Sequence, residues 1–167
     1  MTSTWFFIVC QISVMACGLV SGVFLTFSDF VMRSLNGAGT PAGVEVMQAI
    51  NCEVFRSVFI VLLLGMSALS PVLIGYAYLH TAGPVATWVI AGGTVYLIGV
   101  FGVTLVFNVP MNNRLEAQEH AGAEAAAYWT DTYVPRWTFW NAVRAVASAG
   151  AAICFLVAGN IWLAQGP

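Results

Sequence analysis

Every fixed charge in this chain of 167 residues falls into one of two windows, residues 29–56 and 114–144. Four long apolar runs, at about 5–28, 57–79, 86–107 and 145–163, carry no charge at all. Crossing roughly 30 Å of hydrocarbon takes about 20 consecutive apolar residues as a helix, and each run approaches or exceeds that length. Only 7% of the residues are charged, against about 25% in ordinary soluble proteins. Such a chain cannot cover a water-facing surface, so its solvent is lipid. The expected fold is all-α: a single transmembrane domain over residues 1–167, an up-down-up-down four-helix bundle.

With four spans, both charged windows lie on the same side of the membrane. The regions 29–56 and 108–144 therefore form a polar head in which helix ends extend beyond the bilayer on one side only. Excess arginine marks cytoplasmic loops, which predicts an integral, multi-pass cell-membrane protein with its termini outside and its head cytoplasmic. A net charge of −2 speaks against nucleic acid, because phosphate binding needs clustered positive charge. The N-terminus is apolar without a preceding basic region, and the run is too long for a secretory signal. None of the four cysteines forms a C-x-x-C pair, and three lie inside apolar runs as small buried residues. Gly18 and Gly22 form a G-x-x-x-G, which serves close packing either within the bundle or between copies in a homo-oligomer.

The head is rich in helix formers. After a break at Asn36-Gly37-Ala38-Gly39, Pro41 suits a helix start, and residues 44–56 read as a helix running straight into the second span. Pro135 precedes the fourth span, Pro110 sits at the exit of the third, and residues 114–128 read as a surface helix rich in alanine and glutamate.

Polar residues in the head recur at helical spacing, which puts them on common faces. Gln48, Asn51 and Phe55 share a stripe, with Glu53 and Arg56 nearby. Asn108 and Asn112 are four apart. Trp137, Asn141 and Arg144 form a third stripe, with Trp140 four before Arg144. Arg144 falls at the hydrocarbon boundary, where arginine is costly unless it pairs or finds water. It should face the bundle interior, with Asp29, Glu53 and the side-chain carbonyls of Asn51, Asn108 and Asn112 as candidate partners. Each group also has a plainer reading. Interfacial tryptophans anchor membranes, arginines at helix ends form structural ion pairs, and the acids of the second window suit a solvated face. His80 belongs to a turn on the far side, and a lone His120 is more often a surface residue than a base. The chain has no H-E-x-x-H, no glycine-rich nucleotide fingerprint and no paired histidines for haem. It offers no evident cofactor or metal site, although carboxylates in the head leave a metal open.

The runs Phe27-Ser28-Asp29-Phe30-Val31-Met32, Val46-Met47-Gln48-Ala49-Ile50-Asn51, Phe107-Asn108-Val109-Pro110-Met111-Asn112-Asn113 and Trp137-x-x-Trp140-Asn141-x-x-Arg144 resemble the anthrone-oxygenase-like integral membrane proteins, in the same order and over nearly the whole chain. Many bacterial members of that group are uncharacterised. The resemblance implies an oxidoreductase whose partners are a hydrophobic aromatic molecule and molecular oxygen, converting an anthrone-like polyketide to a quinone. It implies no cofactor, because an anthrone that loses its benzylic proton becomes an anion electron-rich enough to reduce oxygen directly. In that reading Arg144, Asn141 and Asn112 stabilise the developing oxyanion, and Trp137, Trp140 and Phe55 line a flat slot with Gln48, Asn51 and Asn108. Glu53, Asp29 or His120 serves as base, with Glu53 preferred. The alternative is a non-catalytic membrane module that binds a partner protein or a small hydrophobic molecule. A transporter ranks last, since the spans have no charge at mid-membrane.

Overall fold

The computed structural model describes residues 4–165, and the described residues are helical apart from short turns. Five helices are defined: α1 (Thr4–Gly37), α2 (Thr40–Glu53), α3 (Val58–His80), α4 (Gly83–Glu116) and α5 (Ala123–Gln165). All but α2 are long and apolar enough to cross a membrane. They close into a ring in which α1 packs on α5 and α3, and α4 packs on the same two helices. Of the single domain expected over residues 1–167, residues 1–3 and 166–167 lie outside the described residues.

The core of the ring is apolar, with Phe6, Cys17, Val20, Leu73, Val89 and Phe155 at its centre. Lipid supplies no hydrophobic drive between helices, so packing and hydrogen bonds must hold them together. Ser21 Oγ donates to the Ala145 carbonyl at 2.9 Å and Ser148 Oγ to the Cys17 carbonyl at 2.8 Å, tying α1 to α5. Close approach falls at Gly92, Gly93 and Gly99 of α4, where an added Cβ would meet Cys154, Ile74 and Ala147 respectively. Gly18 and Gly22 have nothing within 4 Å of such a Cβ. They are exposed and do not pack the bundle.

The charged windows build a second core around Met32, Val44, Met47, Leu115, Trp129 and Tyr133. Helix α2 enters this cluster after Gly39, whose positive φ of 93° reverses the chain at little cost because it has no Cβ. The helix does not run straight into the second span, as its composition suggested. Val54–Arg56 tightens to a 3₁₀ turn, and Ser57 then breaks the helix with an extended backbone. The Ser57 hydroxyl accepts from the Ile60 amide at 3.3 Å and starts α3 afresh. The expected surface helix over 114–128 is likewise interrupted: α4 stops at Glu116, and turns at 117–122 lead into α5.

Four stretches widen to π-helix: Phe27–Val31 in α1, Leu97–Gly102 and Thr104–Asn108 in α4, and Trp129–Trp137 in α5. Two of them adjoin a proline, Pro110 just beyond one and Pro135 inside another. Proline lacks the N–H and its ring crowds the carbonyl one turn back, so a locally wider turn accommodates it. Such π segments often mark functional positions. Here three of the four lie at the junction between the apolar ring and the head.

Candidate active site

A cavity of about 400 Å³ opens at that junction, enough for a small aromatic ligand. Phe24 and Phe27 of α1, Met47 and Ile50 of α2, and Phe59 and Leu63 of α3 give it apolar walls. Seven of the ten residues singled out from sequence line it: Asn51, Glu53, Phe55, Asn112, Trp137, Asn141 and Arg144.

Arg144 is 5% exposed. Nη2 donates to Asn141 Oδ1 at 2.8 Å and Nη1 to Thr104 Oγ1 at 3.2 Å, while Nε is buried without a partner. The guanidinium lies 4.2 Å over the Phe24 ring and 5.5 Å from the Trp137 ring centre, both favourable cation–π placements. None of the five expected partners accepts from it. Asp29 is paired with Arg33 at 3.2 Å and Glu53 with Arg56 at 3.9 Å, both in exposed pairs, and these are the two ion pairs among the described residues. Arg144 is therefore a buried cation with no neutralising carboxylate. In a low-dielectric wall that is costly, and an anion in the cavity would relieve it.

Asn141 is fully buried. Its amide donates to the Phe24 carbonyl and to Ser28 Oγ, each at 2.6 Å, and its carbonyl accepts from Arg144. With both hydrogens engaged it has none left for a ligand oxyanion, contrary to the expectation, and it fixes Arg144 against α1 instead. Asn112 has the opposite polarity. Its Oδ1 accepts from Tyr133 Oη at 2.9 Å and from Trp137 Nε1 at 2.8 Å, which fixes the amide and leaves Nδ2 as a donor on the cavity wall. Asn51 is buried at its amide nitrogen, and its side chain faces the Tyr133 hydroxyl.

Three expected residues lie elsewhere. Gln48 donates from Nε2 to the carbonyls of Leu115 and Gln118, at 2.8 and 2.9 Å, fastening α2 to the end of α4. Asn108 donates to the Trp137 carbonyl at 3.3 Å behind the cavity. Trp140 stacks on Phe107, centroids 3.7 Å apart and planes within 5°. Phe55 and Glu53 stand at the mouth, with Phe55 73% exposed. Of the three base candidates only Glu53 lines the cavity.

Sequence reasoning missed Thr104, Phe24, Ser28 and Tyr133. Tyr133 was within reach, since it lies four before Trp137 on the same stripe, and Trp129 lies four before that. These three rings stack in a ladder at 5.4 and 5.9 Å. Among the described residues no three His, Cys, Asp or Glu side chains gather as a metal site.

Four membrane-length helices around an apolar cavity with an arginine in its wall define a small integral membrane protein with an internal cavity. The anthrone oxygenase family model matches residues 53–154, about three fifths of the chain, and the protein belongs to that family. The match is narrower than the four sequence runs suggested, since those at 27–32 and 46–51 precede it. No curated protein and no solved structure matches the chain.

Proposed function

We propose that the protein oxygenates an anthrone-like aromatic polyketide in the membrane, using molecular oxygen. The net reaction replaces the two benzylic hydrogens of the anthrone by one oxygen; the other oxygen atom leaves with those hydrogens as water. Removing one benzylic proton gives a delocalised anion with its charge largely on oxygen. The observation that carries the reading is the unneutralised guanidinium of Arg144 in the cavity wall, a fixed positive charge placed for that oxygen. Preorganised donors of this kind are worth about 3–4 kcal/mol in known oxyanion holes.

Asn112 Nδ2 adds a neutral donor, and Phe24, Phe27 and Trp137 hold the flat body. Glu53, the carboxylate on the cavity wall, takes the proton at the mouth and returns it to water. The anion itself supplies the electrons to oxygen, so the step needs no further reductant. The substrate reaches the cavity from the bilayer, and the arginines of the head support a cytoplasmic head.

Purified protein in detergent, stripped of metals, tests this with an anthrone under air, following oxygen uptake and quinone absorbance. A rate no faster than the spontaneous background, from folded protein, refutes the oxygenase reading for that substrate. Metal analysis of the protein before stripping addresses the cofactor. One observation favours a second reading, a non-catalytic binder of anionic aromatics: Glu53 is exposed and held by Arg56. Tight binding without turnover would establish it.

A further inference from the structure

Charge around the cavity is uneven. Among its described lining residues the charged groups are Arg144 of α5 and Glu53 of α2. They do not pair: Glu53 is 73% exposed at its side chain and reaches Arg56 at 3.9 Å, whereas Arg144 is 5% exposed. The residues that α1, α3 and α4 contribute to the wall, Phe24, Leu63 and Thr104 among them, are all uncharged. Tyr133 of α5 is fully buried outside the lining, and its hydroxyl donates to Asn112 at 2.9 Å. The guanidinium is held without being neutralised. Its hydrogen-bond partners, Thr104 Oγ1 and Asn141 Oδ1, are neutral oxygens, and the Phe24 ring 4.2 Å away is uncharged. Both partners are anchored in turn. Thr104 donates to the Val100 carbonyl at 2.7 Å, and Asn141 donates to Phe24 and Ser28. The positive charge is therefore fixed in place before any ligand enters.

Two effects compete on an acidic hydroxyl in such a cavity. Apolar walls disfavour its anion, while an opposite charge within about 4–6 Å favours it by roughly 1–3 pH units. With no counter-ion to spend its field on, Arg144 makes the second effect prevail. We infer that the cavity takes weakly acidic hydroxyaromatics that are neutral near pH 7, holds each as its conjugate base, and expels one proton to water as it binds. The O–H bond breaks, its electron pair stays on the ligand oxygen beside Arg144, and the proton leaves to solvent; nothing is oxidised or reduced. Glu53 serves the slower loss of a carbon-bound proton, whereas the O–H equilibrium is set by Arg144. The inference rests on the reading of Arg144 as partner of an anionic oxygen, and extends the ligand class from an oxidisable anthrone to phenols that undergo no oxygenation.

The test is a pH titration of 2-hydroxyanthracene bound to the full chain in detergent under argon, read by the absorbance of its phenolate. Protein-free detergent gives the reference, and 2-methoxyanthracene, which cannot ionise, is the control. The bound probe should turn to phenolate at a pH lower by roughly 1–3 units. Between the two midpoints its affinity should rise about tenfold per pH unit, while that of the methoxy control should not. Arg144→Gln should abolish the lowering, because burial then acts alone, and Arg144→Lys should restore part of it. A probe that binds yet stays neutral up to its reference midpoint overturns proton expulsion and leaves Arg144 as a partner for oxygen. Failure to bind at any pH overturns it as well. A lowering that survives in folded Arg144→Gln instead overturns the reading of Arg144 on which the inference rests. Absent anthrone turnover beside a lowered midpoint would sink the oxygenase reading alone. The parent protein's titration decides the matter even if a variant fails to fold, which its thermal melting reveals.

Discussion

Asn141 stands one turn before Arg144 on α5 and accepts from its Nη2 at 2.8 Å, while both Asn141 amide hydrogens are engaged by Phe24 and Ser28 of α1. One side chain thus couples the position of the guanidinium to the packing of two membrane helices. Asn141→Ala removes three hydrogen bonds at once, two of them buried, and should destabilise the protein by at least about 1–3 kcal/mol, read as a lower melting temperature in detergent. A melting curve superimposable on that of the parent would contradict the bonding described.

Arg144 and Thr104 make a contrasting pair. Arg144→Met removes an unpaired buried cation, whose relief offsets the acceptor left idle on Asn141, so the melting temperature should stay close to that of the parent. Anthrone turnover should fall by well over tenfold, as expected when an oxyanion-stabilising group is lost. Thr104→Asp places a carboxylate where the Thr104 hydroxyl meets Nη1. It should abolish phenolate binding while sparing neutral anthraquinone. Retained phenolate affinity in Thr104→Asp would show that the charge of Arg144 is not what the ligand meets.

Tyr133 and Trp137 share one acceptor, Asn112 Oδ1. Tyr133→Phe should cost about 0.5–1.5 kcal/mol. Combined with Trp137→Phe, the loss should depart from the sum of the two single changes, because contacting residues couple by about 0.5–3 kcal/mol. Strict additivity in a double-mutant cycle would place the two donors on separate partners.

Two glycine substitutions separate packing in the head from the outer face of α1. In Gly43→Ala the new methyl would lie 2.6 Å from the Leu35 carbonyl oxygen and 3.0 Å from Trp129. Overpacking of this kind costs about 1–3 kcal/mol, so the melting temperature should drop. Gly22→Ala meets nothing within 4 Å and should leave the monomer unperturbed. A fall in Gly22→Ala stability that depends on protein concentration would reveal contact between copies.

Cys52 reports both charge and sidedness. It is exposed, and the Glu116 carboxylate, 3.6 Å from Sγ, pushes its thiol pKa above the ordinary value, with smaller contributions from burial and Glu53. A raised pKa means less thiolate at a given pH near 8, so maleimide labelling should be slow and should accelerate several-fold in Glu116→Gln. With the head in the cytoplasm, a membrane-impermeant maleimide should label Cys52 in inverted vesicles and not in intact cells. The reverse pattern would invert the proposed orientation.

The apolar runs announced the membrane helices because charge exclusion is a property of composition alone. Arg144 and Trp137 were legible for a related reason: polar or amphipathic groups at the hydrocarbon edge need an interior destination. Thr104 and Phe24 were not, since inside an apolar run a threonine or phenylalanine looks the same whether it meets lipid or a guanidinium. Gln48 misled in the other direction, because a buried amide that crosslinks two backbones carries the same sequence mark as one that meets a ligand. The two internal partners of the Asn141 amide, Phe24 and Ser28, lie more than a hundred residues away in sequence and leave no mark on its own stripe.

The π-wound stretch Trp129–Trp137 fixes the angular phase between the two ends of α5. Removing a single residue there, Val134 for example, would let the backbone rewind to α geometry and rotate the upper rings by about 100° relative to Arg144. The transmembrane half would still form, with its guanidinium in place, but Tyr133 would swing away from Asn112 and the phenolate site would lose its far wall. A protein that melts normally yet has lost its affinity for an aromatic phenolate would be the signature of that slip.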